Sequence, residues 1–402
     1  MAYRRHIIGL ALAGATLVGT ACSSDSKSSD STSRESDTAD SASTPGTSGD
    51  EGDENTDGFS VANSLRQIPS IVLESDDASD DSDVQIAVSD LDAASELAGV
   101  DHPDDGTTDV DEITEWLLAI NGPSRDDKRP LTAAILPEVS HAEDFANVAE
   151  FDEEVGWSIS DVHTFIEYQV PPNAFSVMTG GFSEDALTDA IGKPANDIWS
   201  LGGEDFSTDF GNQSSARPLG ESLRFALHDD TLAVSRSTPP VEAWNALDTS
   251  KTAGTLAEDE ELAAVAAALD DSGVYSAFLS QADFAEPQAN VPPDAEAQTK
   301  AAGLGPFSTL GVGQTVEDGT PYAVFVYYYA DETAAADAVD PLTTLLNDGV
   351  SNRTRTPWNE LFAIRDISAT GHILKATLRL TDFSPGSVWD IMFVRDNLVS
   401  GS

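Results

Sequence analysis

One residue in the sequence combines a reactive side chain with a specific setting, the single cysteine Cys22. It follows Gly19-Thr20-Ala21, which close a mostly apolar run from Ile7 to Val18, and Arg4-Arg5 precedes that run. A positive start, an apolar middle and small residues before a cleavage point are typical of a secretory signal. The run is shorter than the about 20 apolar residues of a membrane-spanning helix. We therefore expect residues 1–21 to be a signal peptide and the Cys22 thiol to carry a covalent modification.

Small residues that lead directly into a cysteine, with a hydrophilic tract beginning at Ser23, resemble the lipobox of bacterial lipoproteins. In that family a diacylglyceryl group is attached to the cysteine, and the bond before it is cut. The resemblance implies that Cys22 is the lipidated N-terminus of the mature protein, and two acyl chains suffice for stable attachment. Gly19 departs from the commoner leucine at that position. The expected location is the cell membrane, facing outside the cytoplasm; Arg4-Arg5 leaves export by the Sec or the Tat route open.

Composition narrows the classes of partner. The 402 residues carry 71 acidic and 20 basic side chains, a formal net charge of -51. Such a charge repels nucleic-acid phosphates and anionic lipid surfaces, so we expect no nucleic-acid partner. Scarce lysine and abundant aspartate suit a GC-rich actinobacterium or a halophile, and the lipobox favours the bacterium. One cysteine allows no intramolecular disulfide, and once lipidated it leaves no thiol for catalysis or metal binding.

Residues 22–58 are rich in Ser, Asp, Glu, Thr and Gly and nearly free of large apolar side chains. Such a tract buries too little apolar surface to fold, so we expect an acidic disordered tether. The remaining chain divides by pattern. The predicted parts are a helix-rich segment, a first α+β part, a loose linker and a second α+β part, at 59–160, 161–284, 285–305 and 306–402.

A recurring order predicts the fold class. Four β-hairpins, each followed by a helix, are indicated by alternating apolar residues, turn residues and helix caps. The hairpins span 163–182, 223–235, 307–329 and 361–380. A helix that returns across a hairpin can cover its apolar face. We therefore expect an α+β fold of repeated hairpin–helix units, with mainly antiparallel sheet or sheets and helices packed on one face. Tyr322 to Tyr329 is apolar on both faces, which favours a central strand.

A second resemblance concerns the folded part. The stretches Val155 to Val162, Pro171 to Phe175 and Gly180 to Phe182 are similar in order and texture to uncharacterised actinobacterial envelope lipoproteins. In those proteins a Gly–aromatic turn leads into strands, and a Gly-x-Phe strand end leads into a helix. The resemblance implies a location and a class of protein. It implies no catalytic residues, since none are attached to that family.

The sequence holds no motif of common enzyme sites. Gly-x-Ser-x-Gly, the phosphate-binding Gly-x-x-x-x-Gly-Lys-Ser/Thr and His-Glu-x-x-His are absent, and the one Ser-x-x-Lys, Ser24 to Lys27, falls in the tether. The histidines beyond the signal lie singly along the chain, and the fold would have to gather them to make a site. These are His102, His141, His163, His228 and His372. We assign no catalytic residue, cofactor or metal ligand from them.

One acidic stretch has the spacing of a calcium loop. Counted from Asp101, carboxylates stand at the first, fifth, ninth and twelfth positions with Gly106 at the sixth, as in an EF-hand. The carboxylates are Asp101, Asp105, Asp109 and Glu112. Pro103 replaces an oxygen ligand and Thr108 replaces the apolar residue that pairs two such loops. Calcium binding and a solvated loop between two helices therefore both stay open, and the acidic composition favours the loop.

The leading functional hypothesis is a lipid-anchored surface lipoprotein that acts as a non-catalytic binding or scaffolding module of the bacterial envelope. Its partners would be the membrane, through the lipid, and an envelope protein or an apolar ligand. Two alternatives stay open. A carrier of a lipid or other apolar ligand would use aromatic strands such as Val324 to Tyr329 to line a cavity. An envelope hydrolase would need carboxylates or histidines that converge in a cleft.

Overall fold

A computed structural model describes residues 59–74, 83–121, 130–170, 173–282, 284, 303–381, 384–393 and 396–399. Eleven strands form one sheet within these residues. In chain order they are β1 (Val84–Asp90), β2 (Val162–Val170), β3 (Asn173–Gly180), β4 (Trp199–Leu201), β5 (Leu223–His228), β6 (Thr231–Ser235), β7 (Ser276–Gln281), β8 (Thr309–Glu317), β9 (Thr320–Tyr328), β10 (Phe362–Thr370) and β11 (Ile373–Leu380).

The strand order is β10-β11-β9-β8-β7-β1-β2-β3-β6-β5-β4, and every neighbouring pair is antiparallel. Strand β1 lies at the centre, between β2 and β7. The two parts that the sequence separates at 285–305 therefore contribute to one continuous sheet, because β7 pairs with β8 across that interval. The mixed α+β class and the antiparallel sheet predicted from the sequence are present.

Eleven α-helices are found in the described residues. They are α1 (Val61–Leu65), α2 (Leu91–Ala98), α3 (Val110–Asn121), α4 (Val148–Val155), α5 (Glu184–Ile191), α6 (Thr238–Asn245), α7 (Glu260–Asp270), α8 (Glu332–Asp337), α9 (Val339–Asp348), α10 (Trp358–Leu361) and α11 (Gly386–Phe393). Short 3₁₀ turns connect several of them, among them Glu138–Ser140 and Ile159–Asp161.

The prediction that helices cover one face of the sheet is wrong, since they cover both. Side chains of α1, α6 and α7 pack in one core, to which β9 contributes Val324 and Val326. The neighbouring β9 residues Phe325 and Tyr327 point the opposite way, into a core with α8 to α11. A third core holds side chains of α2 to α5. The reason is that central strands are apolar on both faces, and each face needs its own cover.

A segment without strand or helix, residues 130–137, crosses the sheet and is held by side chains below it. The Tyr275 hydroxyl accepts from the Ala133 N–H at 3.0 Å, and the Ser276 hydroxyl accepts from the Ile135 N–H at 3.1 Å. Glu167 on β2 lies beside the continuation of this segment and is buried. Its carboxylate accepts from the Ser176 hydroxyl at 2.7 Å. Polar side chains in the sheet thus satisfy a buried irregular backbone.

Several sequence predictions fall outside the described residues: the signal peptide 1–21, Cys22, the tether 22–58 and most of the linker 285–305. Among the residues that the structure describes, none of the helices has both the length and the apolarity needed to cross a bilayer.

Candidate functional site

The first candidate site forms where α2 follows β1. The Asp90 carboxylate accepts from the Ala93 N–H at 2.8 Å and so caps the N-terminus of α2. Asp92, in the first turn of that helix, is about half exposed. The helix ends at Gly99, and the chain returns towards β2 as residues 101–109, which we call the docked loop. The cap and the short helix therefore fix Asp92 at the edge that the docked loop covers.

The docked loop is held by buried groups at the start of β2. The Asp161 carboxylate accepts from the Gly106 N–H at 2.8 Å and from the Ser158 N–H at 2.7 Å. The Ser160 hydroxyl donates to the Thr107 carbonyl at 2.9 Å. Burial raises the pKa of Asp161 to about 6, although the two N–H donors oppose that shift. The loop is thus tied to the sheet through its backbone.

Two histidines and two carboxylates meet where this loop contacts α2 and β2. His163 Nδ1 lies 3.1 Å from Asp92 Oδ2, and His163 Nε2 lies 2.9 Å from Asp105 Oδ1. His102 Nε2 lies 3.9 Å from Asp92 Oδ1, and its ring packs edge-on against Trp116 at 4.6 Å between centroids. We call Asp92, His102, His163 and Asp105 the His–Asp cluster.

Burial of the His163 ring lowers its pKa, and the hydrogen bonds and charges of Asp105 and Asp92 outweigh this effect. The pKa of His163 therefore lies above its usual value, and the protonated ring places a positive charge between the two carboxylates. The cluster can act as an ion-pair clasp in this state. It can also offer nitrogen and oxygen ligands once that proton is lost.

The four carboxylates of the calcium-loop pattern do not converge. Asp105 turns to His163, and the Asp109 carboxylate accepts from the Asp111 and Glu112 N–H groups at 3.0 and 3.3 Å, which caps α3. The Glu112 carboxylate accepts from the Thr107 hydroxyl at 3.4 Å. Asp101 is exposed. These carboxylates therefore have separate roles: Asp105 contacts the sheet through His163, and Asp109 caps α3.

The sequence gives His102 and His163 only as isolated residues, and Asp92 not at all. The three lie on different elements, and only the pairing of β1 with β2 brings those elements together. The other histidines stay apart. The His228 ring lies 4.5 Å from the Trp244 ring, His372 Nδ1 donates to the Tyr329 carbonyl at 2.9 Å, and the His141 ring lies 6.2 Å from the Phe151 ring.

The second candidate site is the segment between β4 and β5, residues 202–222, which we call the exposed loop. It presents Phe206, Phe210 and Leu219 to solvent, and Phe210 is 68% exposed, the most of any large apolar side chain in the described residues. The backbone pairs across the loop, because the Asp209 N–H donates to the Gly220 carbonyl at 2.9 Å. Phe210 and Leu219 therefore lie at adjacent positions of this small ladder.

Two partly buried ion pairs connect the exposed loop to the rest of the domain. Arg224, itself buried, lies 2.9 Å from Asp205 and donates to the Gly203 carbonyl at 2.7 Å. Arg217 pairs with Glu154 of α4 at 2.8 Å. These contacts anchor both ends of the loop to the domain, so the loop holds its apolar side chains outward on a fixed frame. Exposed apolar side chains in this arrangement can serve as an interaction surface.

A readable signal for the exposed loop exists in the sequence. Phe206 and Phe210 stand in a stretch of Gly, Ser, Asp and Asn with neither helical nor strand periodicity. Aromatic side chains in such a stretch belong to no apolar face of a helix or strand, which indicates that they lie on the surface.

No protein-family model and no curated protein matches the chain. Among solved structures, the chain is similar to crystal form I of TP0453, at 9% identity and a TM-score of 0.33. The match covers 82% of this chain and 96% of that chain. A likeness at this TM-score carries no argument about fold or function.

Proposed function

We propose that the protein is a lipid-anchored envelope lipoprotein whose folded part is a non-catalytic binding module that docks an envelope protein through the exposed loop. The observation that carries the proposal is the 68% exposure of Phe210 on a loop braced by Arg217 and Arg224. Exposed aromatic side chains held on a rigid frame bind partners without a large loss of conformational entropy.

The charge of the loop indicates the chemistry of the partner. Both arginines are paired with carboxylates of the domain, and Glu204 and Asp209 are exposed beside the phenylalanines. An apolar pocket with a basic rim complements this surface. An anionic lipid surface does not, since it would meet these carboxylates and a chain of net charge -51.

The anchor is Cys22, and its support is the sequence: the apolar run, the small residues and the polar tract that follows. Replacement Cys22→Ser is the test. The unmodified chain is expected to leave the membrane fraction and to lack the mass of a diacylglyceryl group. A variant that stayed in the membrane with a lipid-sized mass would contradict the lipid anchor.

The carrier alternative draws less support. Tyr327 and Tyr329, which motivated it, fill the core and donate to the carbonyls of Leu398 and Leu304. A groove of about 270 Å³ beside Phe278 and Leu310 lies below the about 300–1,000 Å³ of typical small-molecule pockets. The hydrolase alternative draws support from the His–Asp cluster alone, which has no neighbouring nucleophile among its described contacts.

We further infer that the hairpin–helix order reflects repeated units. In its support, the strands read outwards from β1 as β2-β3-β6-β5 and outwards from β7 as β8-β9-β11-β10. In each half the second hairpin joins the first through its later strand. A fragment that keeps one half and folds on its own, shown by cooperative unfolding, would support this inference.

The docking surface is tested by affinity capture from envelope extracts with the wild-type chain and with Phe210→Asp. Ile364→Asp is the matched control, because Ile364 is an exposed apolar residue on β10, at the opposite edge of the sheet. Phe210→Asp is expected to lose a partner that the wild type and the control retain, and added salt is expected to weaken the complex. Equal capture by all three chains would contradict docking through this loop.

A further inference from the structure

Asp92, His102 and His163 each aim one ligand atom at a common point, and these atoms lie within 4.8 Å of one another. The side chains of His102, His163 and Asp92 are 12%, 36% and 49% exposed, so the point is enclosed on the histidine side and open to solvent on the aspartate side. A small ion could enter from the open side. Within the described residues, this is the one group of such ligands that comes so close together.

The second nitrogen of each ring already has a partner. His102 Nδ1 lies 2.9 Å from the Pro103 carbonyl, which can accept its N–H, and in that tautomer Nε2 carries the lone pair, 3.2 Å from the Val162 carbonyl and 3.9 Å from Asp92 Oδ1. His163 Nε2 lies 2.9 Å from Asp105, which can accept its N–H and leave Nδ1 for the same point. A carbonyl or carboxylate behind each ring is the arrangement that orients histidine ligands of metal ions.

Asp105 itself is held in place. A Cβ atom at Gly181 would come 2.4 Å from Asp105 Cγ, so the carboxylate fits against bare backbone and cannot retreat in that direction. This contact gives the outer carboxylate a fixed position behind His163. The loop that carries it is tied down by Asp161 through Gly106.

The distances suit a small tetrahedral ion. Ligands about 2.0 Å from zinc lie about 3.3 Å apart, and His163 Nδ1 lies 3.1 Å from Asp92 Oδ2. His102 Nε2, at 3.9 Å from Asp92 Oδ1, also faces the Val162 carbonyl at 3.2 Å, and a bound ion would replace that contact. Two imidazoles and one carboxylate favour zinc and its neighbours over calcium, which prefers six to eight oxygens.

We propose that Asp92, His102 and His163 bind one divalent transition-metal ion, with Zn²⁺ the best fit, that Asp105 orients His163, and that a fourth position faces solvent. The site goes beyond the docking function and does not depend on it. Bound metal would join α2 and the docked loop that follows it to β2, which lies much further along the chain.

The test is isothermal titration of Zn²⁺ into the full chain at pH 7.5, after treatment with a chelator and in a Cys22→Ser background that removes the competing thiol. One saturable Zn²⁺ site per chain is expected. His163→Asn and Asp92→Asn are expected to abolish it, and Asp105→Asn to weaken it by about 10–100-fold. His228→Ala, a histidine packed against Trp244, is the matched control and should leave the site unchanged.

Two further measurements separate a site from non-specific binding to an acidic protein. Ca²⁺ is expected to give no such saturable heat, and Co²⁺ is expected to give the visible spectrum of a tetrahedral ion, lost in His163→Asn. Circular dichroism of each metal-free variant checks that it is folded. Zn²⁺ binding that is absent, or equal in folded His163→Asn and wild-type chains, would overturn the proposal and leave the cluster as an ion-pair clasp.

Discussion

The docked loop and the exposed loop are similar in composition, but they differ in which of their groups contact the domain and which face solvent. The docked loop, 101–109, is held on β2 by its Gly106 N–H, which donates to Asp161, and by Asp105, which contacts His163. The exposed loop, 202–222, is tied to the domain through Asp205 and Arg217 and turns Phe206 and Phe210 outward. The difference shows that an acidic loop can be tied to the sheet by its polar groups, and that a polar loop can present apolar side chains to solvent.

The direction of each loop follows from what lies below it. Under the docked loop the start of β2 offers a buried carboxylate and hydroxyls that need backbone partners. Under the exposed loop Arg224 is buried, and it needs Asp205 and carbonyl oxygens to offset the loss of hydration. In each loop, some groups form hydrogen bonds or ion pairs with buried polar groups of the domain. The positions of the other side chains of the loop follow from these contacts.

The largest effect on stability is expected from a methyl group added at Gly180 or Gly220, where another backbone segment lies close to the glycine. In Gly180→Ala the new Cβ would lie 1.8 Å from the Asp161 carbonyl, which shifts the strand end that holds the docked loop. We expect a loss of about 3–4 kcal/mol in the free energy of unfolding, measured by denaturant titration.

Gly220→Ala is the matched change in the exposed loop, because its Cβ would lie 1.9 Å from the Asp209 carbonyl at a φ of +67°. This change distorts the loop but few buried side chains, so we expect about 1 kcal/mol and a loss of partner binding. A similar destabilisation by both variants would contradict the distinction between the loops.

The next largest effect on stability is expected from truncating a buried phenylalanine, compared with truncating an exposed one. Phe182, just after Gly180, packs edge-on against Trp157 at 5.8 Å and is buried, whereas Phe210 is exposed. Phe182→Ala is expected to cost about 3 kcal/mol, because it leaves a cavity in the core. Phe210→Ala is expected to change stability by less than about 0.5 kcal/mol and to weaken docking. Thermal unfolding of both variants checks the contrast; a large loss for Phe210→Ala would assign that side chain a structural role.

The smallest effect concerns buried and exposed carboxylates. Burial, reinforced by the charge of Glu138, raises the pKa of Glu167 above the ordinary 4.5. As the pH rises above 4.5, the unfolded chain loses a proton that the folded chain keeps, so stability falls until the folded pKa is passed. Glu167→Gln is expected to remove this slope, at most about 1.4 kcal/mol per pH unit, in denaturant titrations at successive pH values.

Asp209 in the exposed loop is the opposite case. Hydrogen bonds from the Asn212 side chain and the Gly211 N–H lower its pKa. Its contribution to stability is therefore present above its ordinary pKa of 3.8 and lost as the pH falls through the lowered value. Asp209→Asn should leave the slope above pH 4.5 unchanged. If Glu167→Gln also leaves the pH dependence of the free energy of unfolding unchanged above pH 4.5, that dependence does not arise from the burial of Glu167.

Much of the sheet could be predicted because hairpins are local. Alternating residues on either side of Glu317-Asp318-Gly319-Thr320 fix β8 and β9 without reference to the rest of the chain. The short β4 and the position of β1 between β2 and β7 could not be predicted, since they depend on pairing between distant segments. The same holds for the second layer of helices, although the two apolar faces of β9 pointed to it.

The His–Asp cluster could not be predicted for a related reason. His102 lies in a loop whose acidic neighbours suggested calcium, and His163 begins a strand; no spacing rule joins them to Asp92. The pairing of β1 with β2 does, by placing the end of one strand beside the start of the other. In so acidic a chain, carboxylate spacing has little value until the fold shows which carboxylates meet.

We propose that the anchored module docks its partner through Phe210. Photo-cross-linking in intact cells tests it most directly, with a benzoyl-phenylalanine placed at position 210 or, as control, at Ile364 on the opposite sheet edge. A reproducible cross-linked partner is expected from position 210 alone, and it should be lost on adding Leu219→Ser or Cys22→Ser. Docking through Phe210 would be contradicted if both positions cross-linked to the same partner, or if position 210 cross-linked to none.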